Sequence, residues 1–204
     1  MTKILGTVGS MRKNEHTHKL VHHVIEDMKR LEPGIESELI HLADQDVHAC
    51  KVVCSEFCSS LAYQCSTKDD VPAILNQMIS ADALIIATPL YFRAPPARFQ
   101  AMIERLISIF FFYESKGGSK ASPLQDKPCG LIGVAEYSNP HQMLEFLHDF
   151  CSVLKMRPVT LNHFPYLGVA CQGDLQKDTF FNPLERSKEL ASTLAQAYKN
   201  QSNY

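Results

Sequence analysis

Five consecutive apolar residues, Ala83-Leu84-Ile85-Ile86-Ala87, stand between Asp82 and Pro89. No polar residue alternates with them, so a strand built from this run has no face that can meet water. A strand of that kind belongs in the middle of a parallel sheet, with helices packed on both sides. The rest of the chain has to supply those helices and the neighbouring strands.

It does so in order. Ile4, Leu5 and Val8 form a first strand that enters a turn at Gly9-Ser10. Leu20, Val21, Val24, Ile25, Met28 and Leu31 then recur at helical spacing from near Thr17 until Pro33-Gly34 ends the helix. Residues 36–42 alternate polar and apolar as a half-exposed edge strand would, and 71–80 predict a helix. A second strong helix covers 97–112 with Phe99, Met102, Ile103, Leu106 and Phe110 inward, followed by a long polar loop from Tyr113 to Lys127. Cys129 to Val134 is another apolar strand, 140–155 a helix, and Val159-Thr160-Leu161 a weaker strand at the far edge behind Pro158. Pro183 opens a last helix to about residue 199.

Strands alternating with helices predict an α/β protein with a doubly wound parallel sheet. The edges fall on the second and fifth strands, which gives the flavodoxin-like five-stranded order 2-1-3-4-5. At 204 residues and 45% hydrophobic content the chain suits one domain, residues 1–204, with one substantial core. A formal charge of −2 offers no basic stripe for nucleic acid and no polybasic segment for a membrane. No apolar run is long enough to span a bilayer, and the N-terminus leads into a strand, so a cytoplasmic protein is expected. Seven cysteines, an odd number, suit reduced thiols, metal ligands or core positions better than a disulfide framework.

In such a sheet ligands bind beyond the carboxyl ends of the strands, where the strand order reverses. Two loops meet there, 9–17 and 88–96. Gly9-Ser10-x-Arg12-x-x-x-x-Thr17 is neither a Walker A sequence nor a GxGxxG fingerprint. Short hydroxyl donors, a guanidinium and a helix N-terminus converging on one point suit a terminal monophosphate. The same residues would also serve as caps of an ordinary strand-to-helix turn. The second loop, Thr88-Pro89-Leu90-Tyr91-Phe92-Arg93-Ala94-Pro95-Pro96, joins stiffening prolines to two aromatics, either as a wall for a planar ring or as a turn with its aromatics in the core.

Together with Ala81-Asp82-Ala83 and Phe99-Gln100-Ala101-Met102-Ile103-Glu104-Arg105, these loops resemble the NADPH-dependent FMN reductases over most of residues 3–160. The resemblance implies that Ser10, Arg12, Asn14 and Thr17 hold the FMN phosphate and that Pro89, Leu90, Tyr91 and Phe92 border the flavin ring. Ala135, Glu136 and Tyr137, in the loop after the fourth strand, would line its other edge. It further implies an oxidoreductase that takes hydride from NADPH or NADH and passes electrons to a small acceptor such as a flavin or quinone. The cofactor would carry that chemistry, so no catalytic side chain is named. The apolar stretch Ile109-Phe110-Phe111-Phe112 would either seal a homodimer or homotetramer or pack in the core.

Cys50, Cys54, Cys58 and Cys65 fall within sixteen residues. The family includes iron–sulfur flavoproteins with a compact cysteine motif in this region, so an electron carrier with a [4Fe-4S] cluster on these four residues is the alternative reading. Those relatives space the first three ligands by two residues, whereas this chain uses three. At that spacing the cysteines would share one stripe of a helix, and a continuous helix would spread Cys50 and Cys65 over roughly 22 Å, too far to meet on one cluster. Cluster binding therefore requires a break in the helix; a zinc site, or plain thiols on a helix turned to the core, are the other readings of these four residues. His16, His18, His22 and His23 read as a solvated helix face, and Cys151 and Arg157 have phosphatase-loop spacing without the strand-to-helix setting.

Overall fold

The computed structural model describes residues 2–51, 65–114 and 121–201. Cys54, Cys58 and the Gly117-Gly118-Ser119 stretch lie outside them. The elements in chain order are β1 Lys3–Val8, α1 His16–Leu31, β2 Glu36–His41 with a short 3-10 turn Leu42–Asp44, α2 Val71–Ser80 and β3 Ala83–Pro89. They continue with α3 Ala97–Glu114, β4 Pro128–Ala135, α4 His141–Val153, β5 Arg157–Pro158, β6 Val169–Gln172 and α5 Pro183–Gln201.

The strands form one parallel sheet in the order β2-β1-β3-β4-β5, and β6 also pairs with β4. Every residue of β3 and β4 is buried, whereas β2 is exposed over its first half. Alternate side chains of β3 feed two cores. Leu84 and Ile86 pack with α2, α3 and α4. Ala83, Ile85 and Ala87 pack with α1 and α5. The wholly apolar composition of the strand is thus the direct consequence of helices on both faces. Among the described residues no helix is long and apolar enough to cross a membrane.

The far edge departs from the expected single fifth strand. β5 pairs only with Pro128 and Cys129, and β6 takes the same edge of β4 from Ile132 to Ala135. Between them residues 159–168 leave the sheet. Val159 still donates one ladder bond to the Cys129 carbonyl at 2.9 Å, but Val159 and Leu161 are buried by packing into the α1 and α5 core. Apolar residues that signalled a strand are satisfied here by side-chain burial without a ladder. The chain returns at Gly168, where a Cβ would stand 2.2 Å from the Leu131 carbonyl oxygen at a φ of +151°. Only glycine allows that approach.

The carboxyl ends of β1, β3 and β4 meet closely. Gly9 N–H donates to the Ala87 carbonyl at 2.7 Å, and Leu90 N–H to the Val134 carbonyl at 2.7 Å. A Cβ on Gly9 would lie 2.5 Å from Phe99 Cδ2 and 2.6 Å from Thr88 Oγ1. The first loop can therefore turn where it does only because residue 9 has no side chain.

Candidate functional site

The loop after β1 is built around Ser10, whose hydroxyl is buried. Its Oγ accepts the Arg12 N–H at 3.1 Å and donates to the Arg12 carbonyl at 3.0 Å, holding the loop in a tight turn. Asn14 follows in the left-handed region at φ +59°, a conformation asparagine tolerates better than most residues. α1 then starts from Glu15, and no side chain caps it; its first turn carries no acidic residue. Its first N–H groups and the positive end of its dipole thus have no side-chain partner within the helix cap, an arrangement suited to an anion. Thr17 is buried beneath this end, and His16 Nδ1 is buried with no hydrogen-bond partner among the described residues.

Opposite stands the loop after β3. Tyr91 and Ala94 exchange backbone bonds of 2.8 and 3.0 Å around Phe92 and Arg93, both at positive φ, +49° and +66°. This is the geometry of a type I′ turn, normally given to glycine or asparagine. A left-handed conformation costs an L-residue roughly 1–2 kcal/mol. The turn carries Phe92 fully into solvent. The third wall is the end of β4, where Ala135 accepts the Gly173 N–H at 2.8 Å.

One cleft joins these walls. Ser10, Arg12, Thr17, Pro89, Leu90, Tyr91, Ala135 and Glu136 line it, together with Glu15, His16 and Val134. Eight of the residues named from sequence thus share one concavity. Three do not line it. Asn14 borders a shallow groove with His18, Lys19, His22 and His23. Phe92 and Tyr137 project into solvent from the rims, 103% and 92% exposed. His16 escaped the sequence reading because it looks like one more residue of a polar face. Its place as the first residue of α1 is the signal that would have found it. An uncapped helix end, two buried hydroxyls, a guanidinium and an unpartnered imidazole nitrogen fit a phosphate monoester, and the apolar Pro89-Leu90-Tyr91 wall fits a planar ring. The carboxylates of Glu15 and Glu136 also line the cleft, so donors must be placed to outweigh them.

Behind the loop, His18 and His41 lie with ring centroids 5.9 Å apart. Ala43 N–H donates to His41 Nδ1 at 3.3 Å, which leaves the proton of the neutral ring on Nε2. Burial pushes the His18 imidazolium toward deprotonation, and the neighbouring His22 adds to this. Burial, then His18, does the same to His41 against the opposing pull of Asp44. Lys13 and Asp44 form an ion pair that ties the loop to the 3-10 turn.

A second constellation holds the chain on either side of the cysteine segment. Arg105 in α3 has a fully buried side chain and grips the fully buried Asp69 through both carboxylate oxygens, at 2.6 and 3.1 Å. The same guanidinium donates to Cys65 Sγ at 2.9 Å and to the carbonyls of His48 at 3.2 Å and Thr67 at 3.4 Å. Asp69 also accepts the N–H groups of His48 and Val71. Burial alone would raise the Asp69 carboxyl, but these donors outweigh it and hold it below its usual range. Burial would likewise raise the Cys65 thiol, yet hydrogen bonds from Thr67 and Arg105 bring it down. Cys50 and Cys65 are half-buried and outside any disulfide; among the described residues no three potential metal ligands come together. Cys129, Cys151 and Cys171 are core thiols. Burial, with Cys129 beside it, raises Cys151, and burial pushes Cys171 up to about 12. Cys151 sits inside α4, and Arg157 donates to the Ala197 carbonyl, so the two form no anion loop.

Comparison with known proteins extends this picture. The chain is 28% identical over 204 residues to an iron–sulfur flavoprotein of Methanocaldococcus jannaschii, covering 97% of each. It is 24% identical to an iron–sulfur flavoprotein of Methanosarcina thermophila, covering 97% of this chain and 98% of the relative. Among solved structures its fold matches RosB, determined with bound 8-demethyl-8-formylriboflavin-5'-phosphate, at a TM-score of 0.68 and 15% identity, over 100% of this chain and 81% of that one. It also matches an azoreductase of Bacillus anthracis at a TM-score of 0.58 and 16% identity over the whole of both chains. The NADPH-dependent FMN reductase family model matches residues 2–166, and the chain belongs to that family.

Proposed function

We propose that this FMN-dependent oxidoreductase takes hydride from NADPH or NADH and reduces a small flavin or quinone acceptor. For a quinone the balance is NAD(P)H + H⁺ + quinone → NAD(P)⁺ + hydroquinone. The observation that carries the reading is the uncapped N-terminus of α1 set beside the buried hydroxyls of Ser10 and Thr17 and facing Pro89, Leu90 and Tyr91 across one cleft. In this reading Ser10, Arg12, Thr17 and the first turn of α1 bind the phosphate, with Asn14 shaping the loop. His16 supplies a further donor. Pro89, Leu90 and Tyr91 flank one side of the ring and Ala135 and Glu136 the other, while Phe92 and Tyr137 close down from the rims. FMN, when bound, supplies the hydride-accepting ring, so the chain need only orient it, keep one face open and exclude water from the other. The test is titration of the chain with FMN, followed by anaerobic NADPH and NADH oxidation with a quinone. A chain that neither retains flavin nor takes it up would remove the reading.

A second reading is favoured by the iron–sulfur flavoprotein relatives and by the Arg105–Cys65 hydrogen bond, which suits a sulfur held as thiolate. Cys50, Cys54, Cys58 and Cys65 would then bind a [4Fe-4S] cluster that exchanges electrons with the flavin and a partner. Iron and acid-labile sulfide equivalent to one cubane per anaerobically purified chain would favour it; fast NADPH turnover without iron would count against it. A homodimer or homotetramer is proposed as the assembly. Ile109 and Phe112 are buried within the chain, so the apolar groove of Ile103, Ile107, Phe146 and Val153 between α3 and α4 is the better subunit contact. Sedimentation of the purified chain tests it.

A further inference from the structure

Three segments far apart in sequence bring aromatic rings to one place on the open edge of the sheet. His141 begins α4, Phe164 and Tyr166 lie in the 159–168 excursion, and Phe180 and Phe181 precede α5. Phe164 is the hub. Its ring lies within 3° of parallel to the His141 imidazole, centroids 5.7 Å apart, and edge-on to Tyr166 at 6.0 Å and Phe180 at 5.8 Å. Phe181 is buried beneath, at 5.8 Å from Phe164. Yet Phe164, Tyr166 and Phe180 remain 44%, 53% and 74% exposed. Core rings would be covered, and a surface without a function rarely gathers so many.

The excursion that presents them is held firmly. Tyr166 stands at φ +59°, unfavourable for an aromatic residue, and is fixed there by its N–H to the His163 carbonyl at 3.0 Å and by Leu161 N–H to its own carbonyl at 2.7 Å. Glu189 of α5 anchors the same stretch by accepting the Asn162 N–H at 2.6 Å and pairing with His163 at 3.1 Å. Strain kept in place by its surroundings is a pointer to function. The location agrees. β6 pairs directly with the end of β4 that forms the third wall of the cleft, Gln172 opposite Ala135, and the segments that carry Phe164, Tyr166, Phe180 and Phe181 flank β6 in sequence. Gln172 Nε2 donates to the Tyr137 carbonyl at 3.4 Å, and Asp178 accepts the N–H groups of Gln172 at 2.7 Å and Phe181 at 3.0 Å, which ties the end of β6 both to the loop after β4 and to the segment that carries the Phe180 and Phe181 rings.

We propose that this aromatic shelf is the subsite for the electron acceptor, and that it selects planar fused-ring aromatic molecules, which lie against Phe164, Tyr166 and Phe180 with one edge toward the cleft. The inference rests on the oxidoreductase reading above and names the acceptor class for it. Exposed ring faces and edges recognise flat π systems by offset stacking and edge contacts. Attachment to the cleft wall, through Gln172 paired with Ala135, is what favours a small acceptor over a second copy of the chain.

The test uses the full FMN-loaded chain and its Tyr166→Asn/Phe180→Ala variant; asparagine tolerates the left-handed backbone, and both sites are exposed. Equilibrium dialysis with a naphthoquinone sulfonate reads the shelf without turnover, and steady-state kinetics with the same quinone reads it in action. The expected result is affinity weakened about three- to tenfold for each aromatic ring removed, KM raised by a similar factor, kcat held and FMN affinity held. Unchanged naphthoquinone affinity overturns the proposal, as does a variant that leaves quinone binding intact but shifts the sedimenting mass to that of a single chain, which would make the shelf a subunit contact. Failure of the oxidoreductase reading shows separately, as a wild-type chain that binds no FMN or fails to reduce ferricyanide with NADPH.

Discussion

Arg12 and Arg105 carry the same guanidinium under opposite conditions. Arg105 is fully buried, and its donors are taken by Asp69, Cys65 and the carbonyls of His48 and Thr67. Arg12 is exposed at the rim of the cleft; Ser10 engages its backbone, and among the described residues its guanidinium makes no ion pair. A buried charge with every donor used is a structural joint, since any donor left over would cost its full desolvation. A charge kept at a concave rim beside an uncapped helix is available to something that arrives later. Their separation in burial therefore separates stability from binding.

That separation can be broken at four points. Asp69→Ala strands the Arg105 guanidinium in the interior, and denaturant unfolding should show a loss of about 3–5 kcal/mol; a loss below about 1 kcal/mol would mean the pair is no joint. Arg12→Ala should weaken FMN by about 1–3 kcal/mol, as expected for a charge-assisted bond, with the unfolding midpoint unmoved. Equal affinity for FMN before and after would take Arg12 out of the phosphate site. Arg93→Gly relieves the left-handed position in the type I′ turn and should raise stability by about 1 kcal/mol, read as a higher midpoint at constant slope.

The mildest effect concerns pH. His18 and His41 are both held toward the neutral form, burial first, so the unfolded chain binds their protons more readily than the folded one. Their contribution is complete above the ordinary value of 6.5 and is lost progressively as pH falls below it. His41→Gln should flatten the fall in unfolding free energy between about pH 7 and pH 5.5. An acid limb identical to wild type would show that the pair does not titrate in that window.

The interior of the sheet was legible because burial on two faces writes itself into composition: 83–87 contains no polar residue, and β3 extends this run only to Pro89. Edges carry weaker marks. Val159 and Leu161 have the same apolar signature whether they join a ladder or fold back onto α1 and α5, so the split into β5 and β6 was hidden, and Val169-Ala170-Cys171 was too short to announce itself. The cleft was readable where the signal was local, as in the Gly9-Ser10 turn, and invisible where it was conformational. Nothing in Phe92-Arg93 suggests two left-handed residues, because the usual glycine is missing. Asp69 and Arg105 were opaque for a third reason. Partners 36 residues apart give no spacing by which one predicts the other.

The joint at Arg105 bears on how this chain can vary. His48 on one side and Cys65, Thr67 and Asp69 on the other are fastened to a single side chain, so the ends of the intervening segment stay together whatever its length. Closing a loop with fixed ends costs only about 0.6 kcal/mol for each doubling of its length. Insertions and deletions between residues 49 and 64 should thus leave the sheet and the cleft folded, and a lineage could remodel that stretch, cysteines included, without renegotiating the scaffold that holds it.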